Sequence, residues 1–181
     1  PFFMLNTLMQ ILEHELSQVK KNYFFFVGQT EVDTDYFIQE SREGFKREDN
    51  LTNQTNIKDE MTSFHHFVRD KKVPEFGKEV IKFMDSKIKQ HPYHCNEAWG
   101  FKIGPNNLTT YHEHADALWS GVLYLNDHEQ TLNFPEIGKK VKPAPGKFAL
   151  FSGILRHGCE SNHTKESKWG ISFNMYESRN Y

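Results

Sequence analysis

Apolar residues open the chain at three- and four-residue steps. Phe2, Leu5, Leu8, Met9, Leu12, Leu16 and Val19 fall on one stripe of a helix ending near Lys20 and Lys21, whose charges suit a helix C-terminus. The unbroken run 23–27 predicts a short buried strand, and residues 35–45 predict a second helix with Tyr36, Phe37 and Ile38 near its start. Residues 41–60 are polar apart from Phe45 and a few aliphatics, and predict a long surface loop. A third helix is predicted over 74–89, with Pro74 in its first turn and Pro92 closing it. Phe76, Val80, Met84 and Ile88 recur along one side of it.

From Asn96 onward the period shortens. Strands are predicted at 98–103, 108–114, 119–125, 131–134, 147–151, 155–159 and 168–175, cut by turn chemistry such as Gly104-Pro105-Asn106-Asn107 and Asn126-Asp127. A Pro/Gly/Lys segment separates the fourth strand from the fifth. Short strands with frequent turns are the pattern of a sandwich or barrel. The fold class is therefore α+β, mainly β, with helices first and an all-β core after them. One domain is expected over 1–181, with 1–95 a helical support region and 96–176 the core.

Composition narrows the partners. The chain has 181 residues, 22 basic and 24 acidic side chains and a formal charge of −2. Without a basic field, neither nucleic acid nor an anionic membrane is an expected partner. No apolar run approaches the roughly 20 residues needed to span a bilayer. Glu13 and Glu15 interrupt the first apolar stretch and its lysines follow it, so no export signal is read. Two cysteines, Cys95 and Cys159, match no disulfide scaffold or zinc ribbon, and the expectation is a cytoplasmic protein. The first helix would pack equally well on its own core or on a partner's, so no oligomeric state follows.

Ten histidines are many for this length. Along 108–114 alternation puts His112 and His114 on one face, where two imidazoles can converge on one metal. His157 follows the Pro145-Gly146 turn and the strand 147–151. If its strand neighbours 108–114, three nitrogens meet. Asp116 offers another set, because His114-Ala115-Asp116 is the H-x-D half of a non-haem iron facial triad. With the next strand starting at Trp119, a ligating Asp116 leaves two residues for the crossing between sheets, whereas His112 with His114 leaves four. That spacing favours His112, His114 and His157, with Asp116 the alternative to His112. A third histidine in place of a carboxylate leaves the centre one unit more positive, which nearby groups must offset if iron is to stay. Cys159, two residues from His157, is read as a small core residue on the same face. One of Trp99, Trp119 and Trp169 is expected to line a substrate pocket.

Tyr111-His112-Glu113-His114, Trp119 through Asn126, Pro145-Gly146 through Phe151, Arg156-His157-Gly158 and Ile171-Ser172-Phe173-Asn174 resemble, in order and spacing, the 2-oxoglutarate- and Fe(II)-dependent oxygenases. The likeness is nearest to a branch common in marine bacteria and phages, with H-x-H followed by S-G-V-x-Y. It covers roughly residues 96–175. It implies a double-stranded β-helix, or jelly roll, with the N-terminal helices packed against it and Fe(II) held at one mouth. The implied activity is hydroxylation of a small-molecule or peptide substrate with O2, releasing succinate and CO2. In that family a basic residue about ten positions after the distal histidine pairs with the far carboxylate of 2-oxoglutarate. Lys168 holds that place, and Tyr124 matches a tyrosine that hydrogen-bonds the same carboxylate. A serine two residues after the basic residue is replaced here by Gly170. Two other readings stand beside this one. A three-histidine cupin-type dioxygenase would do without 2-oxoglutarate, but its expected glutamate is missing, with Leu118 and Trp119 in that region. A non-catalytic jelly-roll binding module would keep the pocket and lack the chemistry.

Overall fold

Burial on both faces of its central strands leaves the larger sheet of this protein no solvent side. The computed structural model describes residues 23–68 and 93–177; the helices expected over 2–20 and 74–89 lie outside them. Two antiparallel sheets are built from β1 (Phe25–Gln29), β2 (Tyr93–Ile103), β3 (Thr109–His112), β4 (Trp119–Tyr124), β5 (Leu132–Phe134), β6 (Lys139–Val141), β7 (Lys147–Ser152), β8 (His157–Cys159) and β9 (Lys168–Glu177). The major sheet runs β1-β7-β4-β9-β2 and the minor one β3-β8-β5-β6. This is the jelly-roll core that the strand pattern and the family resemblance implied.

Alternation sorts the major sheet's side chains into two layers. Trp119, Leu123, Phe148, Leu150, Ile171, Phe173 and Met175 face outward, where Phe37 of α1 (Thr34–Phe45) and Phe67 cover them. Phe37 and Phe67 meet edge to face at 5.6 Å. Asp33 starts α1 by accepting a hydrogen bond from the Tyr36 amide at 3.0 Å. Trp99, Phe101, Ile103, Val122, Tyr124 and Phe151 face inward, toward the minor sheet. Every residue of β4 is buried as a result. Among the described residues no helix is long and apolar enough to cross a membrane.

Five points depart from the expected pattern. The strand expected at 23–27 is β1, two residues later, and β2 starts before the predicted 98. The strand expected at 108–114 ends at His112. Lys139–Val141 adds an unexpected strand, β6, whose two lysines are exposed and gave no apolar alternation. The polar stretch 41–60 is only partly a surface loop: its start belongs to α1, and Ile57 with the nearby Met61 is buried against the inner layer. Ile57 bridges to Thr109, and Met61 to Phe101. Residues 60–67 continue along β2, exchanging backbone hydrogen bonds with Lys102, Gly100 and Ala98, so they cover an edge that would otherwise be open.

Phe134 joins the two sheets. It is fully buried and packs edge to face on Phe25 at 5.0 Å and Phe151 at 4.8 Å. Replacing Phe134 with Ala should lower the unfolding free energy by about 3–5 kcal/mol in urea titration; a loss under about 1 kcal/mol would mean that the sheets close without it.

Candidate metal centre and its cavity

The three histidines meet because β3 and β8 pair antiparallel with His112 directly opposite His157. His114 lies past the end of β3, in the turn that crosses to β4, where its amide donates to Gly153 O at 2.8 Å. Ring centroids stand 4.4 Å apart for His112 and His157, 4.8 Å for His112 and His114, and 5.3 Å for His114 and His157. One nitrogen from each ring lies within 4.8 Å of the other two.

Two of these rings are oriented by the backbone. Nδ1 of His112 is 2.7 Å from Thr110 O, and Nδ1 of His157 is 2.9 Å from Leu155 O. A carbonyl only accepts, so both Nδ1 atoms carry the proton and both Nε2 lone pairs remain for a metal. Phe151 packs against the His157 ring at 4.6 Å and limits its rotation.

Burial and mutual repulsion keep the cluster neutral. Burial first, then the charge of His112, pushes His114 down to about 4, against an opposing pull from Glu97. Burial also lowers His112, and lowers His157 strongly with help from His112 and His114. Three neutral imidazoles at this spacing fit a divalent first-row metal such as iron, nickel or zinc. Asp116 is exposed in the crossing turn and does not join the cluster, and among the described residues no carboxylate does.

A cavity of about 330 Å3 opens beside the histidines, and both Lys168 and Tyr124 line it. Each is 1% exposed. Lys168 Nζ has a thiol and a carbonyl as partners, Cys159 Sγ at 3.0 Å and Gln130 O at 3.4 Å. Among the described residues no carboxylate forms an ion pair with it. A buried ammonium without a counter-charge is costly, so this seat suits an anionic group. Burial, then Cys159, holds the Tyr124 phenol well above its ordinary value, so it stays protonated as a donor. Gly170, on the same face of β9, has no room for the family's serine. A Cβ there would stand about 2.5 Å from the Phe101 ring.

Sequence reasoning missed the polar cluster next to His114. Asn174 accepts from Ser120 Oγ at 2.8 Å and donates to Glu97 Oε2 at 2.6 Å, and its amide nitrogen is 3.5 Å from His114 Nδ1. Tyr176 also donates to Glu97 Oε2, at 2.8 Å, and burial with that contact pushes its phenol up to about 12. A signal was present: Glu97 alternates with Trp99, Phe101 and Ile103, a charge on an otherwise apolar inward face. Of the three tryptophans, Trp99 lines the cavity, Trp119 packs in the outer layer and Trp169 lies under Phe45 and Arg42. His65 Nδ1 lies 2.9 Å from Asn96 O and His66 Nε2 3.1 Å from Glu40 O, while among the described residues the buried His66 Nδ1 has no partner.

The lowered histidine values set a pH dependence. A group whose folded pKa is depressed binds its proton more readily in the unfolded chain, so the metal-free protein is most stable above about pH 6.5 and loses stability as pH falls toward 4. Urea midpoints between pH 7.5 and 4.5 should fall more steeply for the parent than for His114→Asn. Parallel slopes would mean that His114 is not held neutral by its surroundings.

No protein-family model and no curated protein matches the chain. Solved structures do. The viral collagen prolyl hydroxylase vCPH from Paramecium bursaria Chlorella virus-1, in complex with 2-oxoglutarate, is 17% identical with a TM-score of 0.63 over 86% of this chain and 96% of its own. A prolyl hydroxylase from Trichoplax adhaerens, bound to a peptide of hypoxia-inducible factor, is 11% identical with a TM-score of 0.63 over 98% and 94%. The α-ketoglutarate-dependent carbocyclase SnoK of nogalamycin biosynthesis is 8% identical with a TM-score of 0.66 over 84% and 79%. At these identities the likeness is one of architecture, and the chain has the double-stranded β-helix fold of the 2-oxoglutarate-dependent oxygenases.

Proposed function

We propose that the protein is an Fe(II)- and 2-oxoglutarate-dependent oxygenase that hydroxylates a small-molecule or peptide substrate. The observation that carries this reading is Lys168, an unpaired buried ammonium sharing one cavity with three converging neutral histidines. His112, His114 and His157 would hold the metal, and Lys168 with Tyr124 would hold the far carboxylate of 2-oxoglutarate. Within a single domain, residues 1–95 would support the catalytic core at 96–176, with β1 supplying a strand of the major sheet.

The chain's own residues then do three things. The β3–β8 pair fixes two imidazoles, and the crossing turn supplies the third. Cys159 and Gln130 hold the Lys168 ammonium two residues along β8 from His157, so an anion seated there reaches back toward the histidines. The inner apolar layer, with Phe101, Val122 and Phe151, keeps bulk water from this seat. Iron with 2-oxoglutarate and O2, once bound, supplies the oxidising equivalent that places one oxygen atom in a substrate C–H bond, with succinate and CO2 as co-products.

The all-histidine donor set is also what a cupin-type dioxygenase without 2-oxoglutarate would use, and the buried Lys168 weighs against it. A non-catalytic binding module would use the same ammonium for an anionic ligand, and only activity separates it from the oxygenase.

Anaerobic titration of the Fe(II)-loaded protein with 2-oxoglutarate should develop a saturable visible charge-transfer band. Lys168→Ala should weaken 2-oxoglutarate on the order of 100-fold while iron binding holds, as expected for truncating one member of a buried charge pair. His157→Ala should lose iron. Bound iron with no band would favour the cupin-type chemistry, and no iron uptake would leave a binding module.

A further inference from the structure

The inward face of β2 carries a charge gradient. Its register places Ile103 opposite Lys168 at one end and Glu97 opposite Asn174 at the other. Among the described residues Lys168 is the only lysine or arginine lining the cavity, whereas Glu97, Glu113 and Asp116 line the side where His114 stands. If the Lys168 end takes the anionic co-substrate, the opposite end repels a second anion.

At that end, among the described residues, one acid lacks a counter-ion and one buried donor lacks an acceptor. Glu97 spends Oε2 on Asn174 and Tyr176, and among the described residues no cation pairs with it. Trp99 is 4% exposed, and among the described residues its indole Nε1–H meets no acceptor. A buried donor left unsatisfied is costly, and a ligand oxygen removes that cost. Phe64 packs edge to face on the Trp99 ring at 5.1 Å and fixes it, and that ring's centroid is 6.4 Å from the His114 ring. Whatever these two residues hold therefore lies beside the histidine cluster.

We propose that the substrate is cationic, an alkylammonium or guanidinium compound that also carries a carbonyl or hydroxyl oxygen. Glu97 takes the cation, with the aromatic face of Trp99 beside it, and the Trp99 indole N–H takes the oxygen. This rests on the oxygenase reading of the cavity and adds the substrate class to it.

Calorimetric titration of the full chain tests the proposal, on both metal-free protein and protein loaded with Zn(II) and 2-oxoglutarate, which does not turn over. The probes are Nα-acetyl-lysine methylamide and Nα-acetyl-arginine methylamide, the uncharged norleucine analogue and the anionic glutamate analogue. At least one cation should bind about tenfold or more tightly than the uncharged and anionic probes. Glu97→Gln should erase that preference while melting within a few degrees of the parent, and Trp99→Phe should weaken the lysine and norleucine probes alike. Equal or tighter binding of the uncharged or anionic probe, a preference that survives Glu97→Gln, or no binding of either cation would overturn the proposal. A cation preference in a protein with no affinity for 2-oxoglutarate would instead overturn the oxygenase reading and leave the cation seat standing.

Discussion

The site depends on one short antiparallel pairing, β3 with β8. It sets His112 opposite His157 and Thr109 opposite Cys159 between segments more than forty residues apart in the chain. Side chains alternate along a strand, so a one-residue slip would turn both His157 and Cys159 away from the cavity. The same three-residue strand therefore places a histidine in the cluster and a thiol against the Lys168 ammonium. Gly158 between them lets the strand lie close under the Tyr111 ring, where a Cβ would stand about 2.9 Å from ring carbons. The metal position and the anion position are thus held at a fixed separation by one element.

Electrostatics follow from that geometry. Three imidazoles packed this closely cannot all carry protons, and burial removes the water that would make charging tolerable. A neutral donor set leaves a bound dication uncompensated by its own ligands, unlike a site with a carboxylate. The negative charge that acts on His114 is that of Glu97, which reaches it through the Asn174 amide. Lys168 stands away from this carboxylate, at the opposite end of β2 and β9. Charge in the cavity is therefore separated along the strands instead of being paired across it.

Much of the core was legible because its strands are cut by strong turn chemistry, and H-x-H with a distant histidine marked the cluster. Faces were harder to read than strands. On β9, Lys168, Gly170, Ser172, Asn174 and Tyr176 alternate with Trp169, Ile171, Phe173 and Met175, which reads as a sheet with one solvated face. The structure turns that polar face inward, over the cavity, because the minor sheet covers it. Glu97 was overlooked although it is a charge on an otherwise apolar inward face, and Trp99 was named only as one of three candidate tryptophans, because unmet partners are countable only in the folded chain. Lys168 was singled out through its spacing from His157 within a family resemblance, and nothing in local pattern distinguishes it from a solvated strand-start lysine. Residues 46–60 misled by composition, since two aliphatics, Leu51 and Ile57, suffice to anchor a polar segment when it reaches a strand edge.

Gly170 shows how a departure from a family pattern can be a packing consequence. The Phe101 ring occupies the space where a side chain at 170 would point, so a hydroxyl there and an aromatic at 101 exclude one another. With that hydroxyl gone, the polar contacts to an anion at this end of the cavity fall to the Lys168 ammonium and the Tyr124 phenol, while Cys159 supports the ammonium from behind. A thiol is a weak acceptor, so it positions Lys168 without competing strongly for its charge. The ammonium is left available to a ligand, as a tight carboxylate partner in the protein would not have allowed.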